Sequence, residues 1–507
     1  MVDAMLWSVR EILTATVSFI LIVAVLLRYL KSRRNVPPGP RGLPILGSVL
    51  SMGGRPDLYL NDMAKIYGPV MSVNIGPRLN VILNDVDAAK EAFLKQGEVF
   101  SGRSKLLFFD VFVATILGDA RNLNHGVVLS TGKLWKEQRK FSLEKLREFG
   151  MGRVSLEEKI KEEVSCLLAE LKSTNSQAFD MQTILMMSVC NVISSIVFGN
   201  RFEYDDEQFK ILLKALSDQF ALISVAGVLN FIPWLQHFPP FNARVKEAIH
   251  NDRVIVDVLM AKREAHIADF DNDNIRDFID AYLSEIKSER AAGRQTTSFS
   301  ESELLFVVAD LFGGGTETTT TTLRWAMLFM LKHPTVCQKV QTEIDEVIGR
   351  GRMACMADKK NMPYTEATIT EVQRLGNIAP LGVPHLTLEE VEFGGYTIPA
   401  NTPVIANMTA ILRDPAHFPN PDIFDPERFL DEEGRFVKNE AMIPFSIGRR
   451  VCLGESIARM ELFLFFTSIL QNFDIKLAAG APEPSFDGIL GLTWMPMPSK
   501  ICLPLRE

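Results

Sequence analysis

The chain has 507 residues, of which 47% are hydrophobic and 23% charged, a balance that excludes a disordered or collagen-like protein. The net charge is -8, so the totals do not favour nucleic acid as a partner. The cysteines lie far apart, at positions 166, 190, 337, 355, 452 and 502, with no C-x-x-C pair and no cluster of zinc spacing. Composition therefore predicts a globular protein with reduced thiols and a core large enough to enclose a bulky cofactor.

The N-terminal segment is apolar and uncharged from residue 12 to residue 27. Two further residues extend it to about 19, enough for a thin membrane span. Cations follow at positions 28, 31, 33 and 34, which by the positive-inside rule places the rest of the chain in the cytosol. The alternative, a cleaved secretory signal, lacks a basic start and an A-x-A-like cleavage site. We predict a transmembrane anchor over residues 1–30.

Residues 31–44 begin with the last of these cations and continue as P-P-G-P, followed by Gly42 and Pro44. Prolines at this density cannot continue a helix and favour a stiff, extended spacer. No later stretch has the composition of a linker. Residues 45–507 are therefore predicted to form one catalytic domain.

Hydrophobic periodicity predicts a mainly α fold with minor β structure. The predicted helices are 131–147, 155–173, 180–198, 206–223, 243–266, 301–332, 335–349 and 454–471. The predicted strands are 69–75, 79–84, 391–398 and 403–408. The segment 225–241 is unusually apolar and contains several prolines; a buried loop and a surface that dips into a membrane explain it equally well.

The most specific motif is F-S-I-G-R-R-V-C-L-G-E at residues 445–455. A thiolate serves as an iron ligand only if its charge is stabilised and its sulfur is shielded. Gly448 and Gly454 let the backbone bend around the sulfur of Cys452 and turn N–H groups towards it. The apolar run that follows begins a helix, whose N-terminus favours the thiolate. We expect Phe445 to cover the proximal face of a haem and Arg450 to reach one of its carboxylates.

F-x-x-G-x-R-x-C-x-G resembles the haem-binding signature of the cytochrome P-450 superfamily, and microsomal animal members of family two in particular. Other family motifs follow in the expected order. Glu371-Val-Gln-Arg374 matches E-x-x-R, with both charges on one helical face, and Arg428 lies in the P-E-R-F element. In this family the three side chains form a structural ion-pair network. The resemblance implies the cytochrome P-450 fold: one large haem-enclosing domain, carrying haem b with a cysteine thiolate as axial ligand.

The resemblance also implies partners for the haem propionates. Trp135 and Arg139 match W-x-x-x-R, whose spacing lets indole and guanidinium donate to one propionate. Arg103 in F-S-G-R and His385 in P-L-G-V-P-H are the other expected partners. The alternative for His385 is a core histidine whose hydrogen bonds are satisfied within the protein.

An oxygen-activation site is predicted within the helix 301–332. Gly314 and Gly315 leave room above the iron, at a helix-propensity cost of about 1 kcal/mol each relative to alanine. Thr318 resembles the family's oxygen-side hydroxyl, and Glu317 is the acid expected to supply protons; both are predicted to be catalytic. A threonine-rich helix with a solvated glutamate is the alternative. Asp310, nearby, is predicted to cap backbone amides of a neighbouring loop rather than to bind an amine of the substrate.

The expected function is monooxygenation of a lipophilic molecule such as a steroid, fatty acid or xenobiotic. Expected pocket positions are an apolar loop with Phe108, Phe109 and Phe112, and positions near 308, 314, 381, 383 and 489–493. The chain lacks a Rossmann fingerprint, so electrons must come from another protein. The expected partners are an NADPH-dependent cytochrome P-450 reductase and cytochrome b5, at the endoplasmic reticulum membrane.

Three other functions remain as alternatives. A haem-thiolate isomerase or lyase would rearrange peroxides without external electrons, but such enzymes tend to lose the acid–threonine pair that this chain keeps. A non-catalytic haem sensor would bind haem without turnover. A serine hydrolase is disfavoured because Ser456 follows no parallel strand and stands directly after the cysteine loop.

Overall fold

The computed structural model describes residues 11–18, 20, 35–104, 107–118, 124–225, 229, 233–294 and 297–506. The predicted anchor at 1–30 lies largely outside these residues. Among the helices that are described, none has the length and apolar character needed to cross a membrane. The proline-rich residues after 35 are extended and run beside the first strand, where Ser72 N–H donates to the carbonyl of Pro38 (2.8 Å).

Helices dominate the described residues. They are α1 (Val49–Met52), α2 (Pro56–Tyr67), α3 (Val86–Lys90), α4 (Leu107–Leu117), α5 (Gly132–Glu148), α6 (Val154–Ser173), α7 (Met181–Val197), α8 (Glu207–Val225), α9 (Phe241–Ala268), α10 (Phe278–Ala291), α11 (Glu301–Lys332), α12 (Pro334–Val347), α13 (Pro363–Gly376), α14 (Met408–Ile411) and α15 (Glu455–Asn472). Short helical turns lie at Glu91–Lys95, Val99–Ser101, Pro233–His237, Asp358–Asn361, Pro426–Phe429 and Gly448–Arg450.

The strands are short and form one five-stranded sheet and three two-stranded ribbons among the described residues. They are β1 (Val70–Ile75), β2 (Arg78–Leu83), β3 (Gly102–Arg103), β4 (His385–Leu386), β5 (Val391–Phe393), β6 (Tyr396–Ile398), β7 (Pro403–Ala406), β8 (Lys476–Leu477), β9 (Gly488–Leu490), β10 (Trp494–Pro496) and β11 (Ile501–Cys502). The large sheet has the order β1-β2-β7-β4-β3, with β2 and β7 parallel and the other pairs antiparallel.

Helix α11 is the longest described helix and runs through the core. Ser300 caps its N-terminus by accepting a hydrogen bond from the Glu303 N–H (3.1 Å), which satisfies a donor that the helix itself leaves unpaired. Most of its side chains are buried, and it packs against α7, α13 and α15. A helix buried on nearly all sides can bring residues to an internal site without exposing them to bulk water.

A buried ion-pair network fixes α13 to the segment 412–428. Arg374 donates to both carboxylate oxygens of Glu371 (2.7 and 2.8 Å), and Arg428 donates to Glu371 Oε1 (3.1 Å). The remaining guanidinium donors go to backbone carbonyls, including that of Leu412 (2.9 Å). Because Glu371 accepts from both guanidiniums and backbone carbonyls accept the other assigned donors, the three side chains can be buried together with their polar atoms paired. We call them the Glu371 network, and the structural role predicted for the three residues is confirmed.

Each of the eight predicted helices is present with ends within two residues of the prediction. The prediction at 391–398 was wrong in one respect: it is a hairpin of β5 and β6 that turns at Gly394 and Gly395, both with positive φ. The apolar loop predicted around residues 108–112 is instead part of α4. Helices α2 and α10 were not predicted, because their many polar residues weaken the apolar periodicity.

Candidate functional site

The loop that carries Cys452 is closed by its own backbone. The Cys452 N–H donates to the Phe445 carbonyl (2.9 Å), and the Val451 N–H donates to the Gly448 carbonyl (3.1 Å). Gly448 has φ +78°, and a Cβ there would lie 2.0 Å from the Phe93 carbonyl oxygen, so only glycine fits. The bend predicted for this glycine is therefore present.

The Cys452 thiol is accessible, yet protein surrounds it. Burial raises the pKa of the thiol, while the N–H groups of Gly454 and Glu455 and the charge of Arg139 lower it. The thiol has accessible surface, yet protein atoms around it exclude bulk water. The sulfur therefore faces a space inside the protein rather than the outer surface. The N–H groups predicted to face the sulfur are present, but they do not by themselves make it a thiolate. A coordinated metal cation would do so.

Phe445 lies at the other end of the loop and is partly buried. The Arg459 guanidinium stacks over its ring, 4.9 Å from the centroid. The stacked cation from α15 restrains the ring beside the loop.

Four of the predicted propionate partners come together at the edge of the five-stranded sheet. Arg103 and His385 face each other across the β3–β4 pair. The Arg103 N–H donates to the hydroxyl of Thr131 (3.2 Å), the residue that precedes α5, and α5 carries Trp135 and Arg139. Sheet pairing and one helix start thus bring together residues that are far apart in the sequence.

Arg450 joins this group from the cysteine loop. Its guanidinium donates to the carbonyls of Ser101 (2.8 Å), Ser130 (2.6 Å) and Val127 (3.3 Å). It also stacks on the Trp135 ring, 3.8 Å from the centroid. The residue therefore links the cysteine loop to the sheet edge and to the segment before α5.

Arg103, Arg139 and Arg450, here called the guanidinium cluster, have no carboxylate partner in the described part of the chain. Arg103 donates to the Val383 carbonyl (2.7 Å) and Arg139 to the Val451 carbonyl (2.6 Å). Burial, followed by the neighbouring guanidiniums, lowers the pKa of Arg103 to about 9 and that of Arg450 to about 8. Burial also lowers the pKa of Arg139, which the nearby Cys452 raises. Three adjacent cations without an acid form a site for an anion.

Two further polar groups line the same place. The indole N–H of Trp135 is buried and has no acceptor among the described residues. His385 stacks on Phe93 (3.9 Å between ring centroids), and its Nδ1 lies 2.8 Å from the Phe100 carbonyl. Burial and the charge of Arg103 hold the pKa of His385 well below its usual value, so its ring is neutral. The alternative of a core histidine accounts for Nδ1, whereas Nε2 is left for another partner.

These residues fit haem. The guanidinium cluster and the unpaired Trp135 N–H supply donors for two carboxylates, and Cys452 supplies a sulfur at an internal space. A buried donor without an acceptor costs about 1–3 kcal/mol, which an anionic ligand would recover.

On α11, Gly314 is an accessible position within a mostly buried helix. It is exposed in the middle of a helix whose neighbouring turns are buried, and a Cβ at this position would meet nothing within 4 Å. A Cβ at Gly315 would instead lie 3.3 Å from the Ile193 side chain. Gly315 therefore faces α7, whereas Gly314 is the open position in this part of the helix; a role of Gly315 at the cofactor stays a prediction.

Thr318 lies one turn after Gly314 and donates its hydroxyl to the Gly314 carbonyl (2.7 Å). Glu317 points elsewhere: it is buried, its Oε1 accepts from Thr321 (3.2 Å), and its Oε2 has no partner among the described residues. Burial, opposed by Arg324, raises the pKa of Glu317 to about 7. The solvated glutamate considered from the sequence is thus excluded, but the acid and the hydroxyl are not in contact.

A contact between α11 and α15 joins the two sides of the site. The Thr319 hydroxyl donates to Glu461 Oε2 (3.2 Å), and burial raises the pKa of Glu461 to about 8. Helix α15 begins three residues after Cys452, so this hydrogen bond fixes the cysteine side relative to the helix of Gly314 and Thr318. Glu461 lies outside the motifs from which the site was predicted.

The capping role predicted for Asp310 is confirmed. Its Oδ2 accepts from the N–H groups of Val127 (2.6 Å) and Val128 (2.9 Å). These amides belong to the same segment whose carbonyls hold Arg450. Asp310 therefore supports the guanidinium cluster from α11.

The amino-acid sequence is similar to those of known proteins along most of its length. A family model described as Cytochrome P450 matches residues 37–503. The chain is 42% identical to cytochrome P450 2C8 of Homo sapiens and to cytochrome P450 2C20 of Macaca fascicularis, over 92% of this chain and 93% of each relative. It is 44% identical to cytochrome P450 2C2 of Oryctolagus cuniculus, over 87% of this chain and 88% of that protein.

The family match and the accessible cysteine in its glycine-bounded loop indicate a haem-thiolate enzyme. The chain belongs to the cytochrome P450 family, and it is a cytochrome P450 monooxygenase.

Proposed function

We propose that this monooxygenase inserts one atom of dioxygen into a lipophilic small molecule, with Cys452 as the ligand of the haem iron. The observation that supports this most directly is that the Cys452 thiol is accessible although protein surrounds it. Gly314, the accessible position in the middle of α11, supports an open place on that helix. The apolar side chains at two expected pocket positions, Val308 and Phe112, favour a substrate without many polar groups. A steroid, a fatty acid and a xenobiotic all meet this requirement.

Haem b would be held by Cys452 through the iron and by Arg103, Trp135, Arg139, His385 and Arg450 through the propionates, with Phe445 beside the loop. When bound, it supplies the activation of dioxygen that the side chains of this chain cannot perform. The protein's own contribution is to hold the sulfur, neutralise the carboxylates and exclude water. The closed loop at Gly448 and the guanidinium cluster support these roles.

We assign proton movement to Thr318 and Glu317. The Thr318 hydroxyl now donates to a helix carbonyl, so it can rotate and donate into the space at Gly314 instead. Glu317, with its pKa raised to about 7, holds or releases a proton near neutral pH, and its Oε2 is free to pass one on. Because the two side chains do not touch, a water between them completes the proposed route.

Electrons are proposed to come from an NADPH-dependent reductase, with cytochrome b5 as a second donor, at the endoplasmic reticulum membrane. The apolar N-terminal run and the cations after it support a cytosolic catalytic domain on a single anchor. In the described part of the segment 225–241, Trp234 and Phe238 are exposed, which favours a surface facing lipid over a buried loop.

The first test is the difference spectrum of the reduced protein with and without carbon monoxide. A strongly red-shifted Soret band is expected for a carbonyl opposite a thiolate. A band at the ordinary position would contradict thiolate ligation. Lipophilic compounds that change the spin state of the haem-loaded protein identify substrates. Their oxidation should then require NADPH and the reductase. Rearrangement of a peroxide without NADPH would instead favour the isomerase.

Substitution of the distal hydroxyl tests the proton route. Thr318→Ala is expected to keep NADPH consumption but to release most of the electrons as hydrogen peroxide, because a proton donor beside Gly314 is lost. The ratio of product to NADPH measures this coupling. Thr322→Ala is the control, since the Thr322 hydroxyl also donates to a carbonyl of α11, that of Thr318 (2.9 Å). Equal coupling in wild type and Thr318→Ala would remove Thr318 from the route.

A further inference from the structure

The segment 124–131, which precedes α5, holds two arginines of the guanidinium cluster through its backbone carbonyls. Arg450 donates to the Ser130 carbonyl (2.6 Å). The Nε of Arg103 donates to the Val128 carbonyl (3.2 Å). A carbonyl directs a guanidinium only if the surrounding structure fixes the carbonyl itself. The contacts that hold this segment therefore decide where the two cations point.

Two acids of α11 hold this segment. Asp310 accepts from two of its amides. Glu303 lies seven residues earlier, about two turns away on the same face of the helix. Its Oε1 accepts from the Gly126 N–H (2.6 Å), and its Oε2 lies 2.8 Å from His125 Nδ1. Because a carboxylate accepts, His125 carries its hydrogen on Nδ1. Residues 125–128 are thus bound in succession to one face of α11.

The contact at Glu303 is enclosed by protein. Its side chain is 6% exposed, and that of His125 is 14% exposed. Gly126 has φ +72°, and a Cβ there would lie 2.3 Å from Asp310 Oδ2, so the segment approaches α11 too closely for any other residue. Phe306, one turn after Glu303, stacks on the His125 ring with 4.5 Å between the centroids. Hydrogen bonds, a ring contact and a required glycine therefore fix the segment on the helix.

We propose that Glu303 and His125 are positioning residues for the haem propionates, an inference that rests on the proposed function. They hold the segment 124–131 against α11, and this segment in turn holds Arg103 and Arg450. Without the carboxylate on α11, a buried N–H of the segment would lose its acceptor, and the segment would move to find another. Both guanidiniums would then lose the orientation in which they meet the propionates.

The test is the rate at which the haem-loaded protein loses haem to an acceptor apoglobin. Glu303→Leu is expected to lose haem about tenfold faster than the wild type, because both contacts of the carboxylate are removed. In Glu303→Gln the amide oxygen can still accept from Gly126 and the amide N–H can donate to His125, so the rate should rise less than about twofold. Glu301→Leu is the control and should leave the rate unchanged, since this half-exposed acid pairs with Arg290 (3.1 Å). A wild-type rate in Glu303→Leu overturns the proposal.

A double-mutant cycle separates positioning from general packing. In an Arg450→Met background the route through Arg103 alone remains, so Glu303→Leu should speed haem loss only about threefold. A tenfold effect in that background overturns the proposal, because Glu303 would then act independently of Arg450.

His125→Phe gives a second measurement if Glu303→Leu does not fold. It keeps a ring against Phe306 but loses the N–H that faces Glu303, and it should speed haem loss about threefold. An unchanged rate in this variant also overturns the proposal. Failure of the proposed function is distinct: the red-shifted carbonyl band would then be missing from the wild type, whereas failure of this inference leaves that band in place.

Discussion

The molecule contains two buried groups of arginines that differ in whether an acid accompanies them. In the Glu371 network one carboxylate accepts from two guanidiniums, and backbone carbonyls take most of the other donors. In the guanidinium cluster every assigned hydrogen bond goes to a backbone carbonyl, and no described carboxylate is present. The first group is complete in the polypeptide alone, whereas we propose that an anionic cofactor completes the second. Substitutions in the first should therefore act with or without haem, and those in the second only with it.

The largest effect is expected at the thiol that lies beside the cluster. Cys452→Ser should abolish the red-shifted carbonyl band completely, because a serine hydroxyl does not supply a thiolate to the iron. The Glu371 network should be untouched, so circular dichroism should still show a helical fold. Cys166→Ser, a partly exposed thiol on α6, is the control and should keep the band. A normal band in Cys452→Ser would reassign the ligand.

A large loss of stability is expected in the Glu371 network. Arg374→Ala leaves the fully buried Glu371 carboxylate with Arg428 as its one described cationic partner, besides the Asp425 N–H (2.9 Å), which should lower the free energy of unfolding by about 3–5 kcal/mol. The loss should be the same in apoprotein and haem-loaded protein, as measured by urea unfolding. Lys65→Ala breaks an exposed i,i+3 pair with Asp62 and should cost less than about 1 kcal/mol. A loss confined to the haem-loaded form would erase the distinction between the two groups.

The difference between the groups also explains what the sequence predicts. The E-x-x-R motif and the cysteine loop each span only a few residues, and helical spacing or a required glycine sets their geometry. The roles of Glu371, Arg374 and Gly448 could therefore be predicted from the sequence. The long helices were predictable for the same reason: their apolar periodicity is local.

Contacts between distant elements were less accessible from sequence alone. Which glycine of α11 faces the open space depends on where Ile193 of α7 packs, and only the tertiary structure selects Gly314. The pairing of Thr319 with Glu461 has no local pattern at all.

The smallest predicted effect is the most specific test of the difference between the Glu371 network and the guanidinium cluster, because it concerns a single N–H. Trp135→Phe removes an indole donor that has no acceptor in the polypeptide, so the apoprotein loses packing but no hydrogen bond. Haem loss to an acceptor apoglobin should become about fivefold faster, which corresponds to about 1 kcal/mol for one hydrogen bond.

Trp325→Phe is the matched control, since the Trp325 indole already donates to the Trp494 carbonyl (2.8 Å). Its apoprotein should be destabilised more than that of Trp135→Phe, because a made bond is lost in addition to packing, while its haem loss should stay at the wild-type rate. If the two variants lose haem equally fast, the effect of Trp135 is general packing. The unpaired indole would then give no support to a carboxylate site. The charges of the guanidinium cluster would be the only remaining support for such a site.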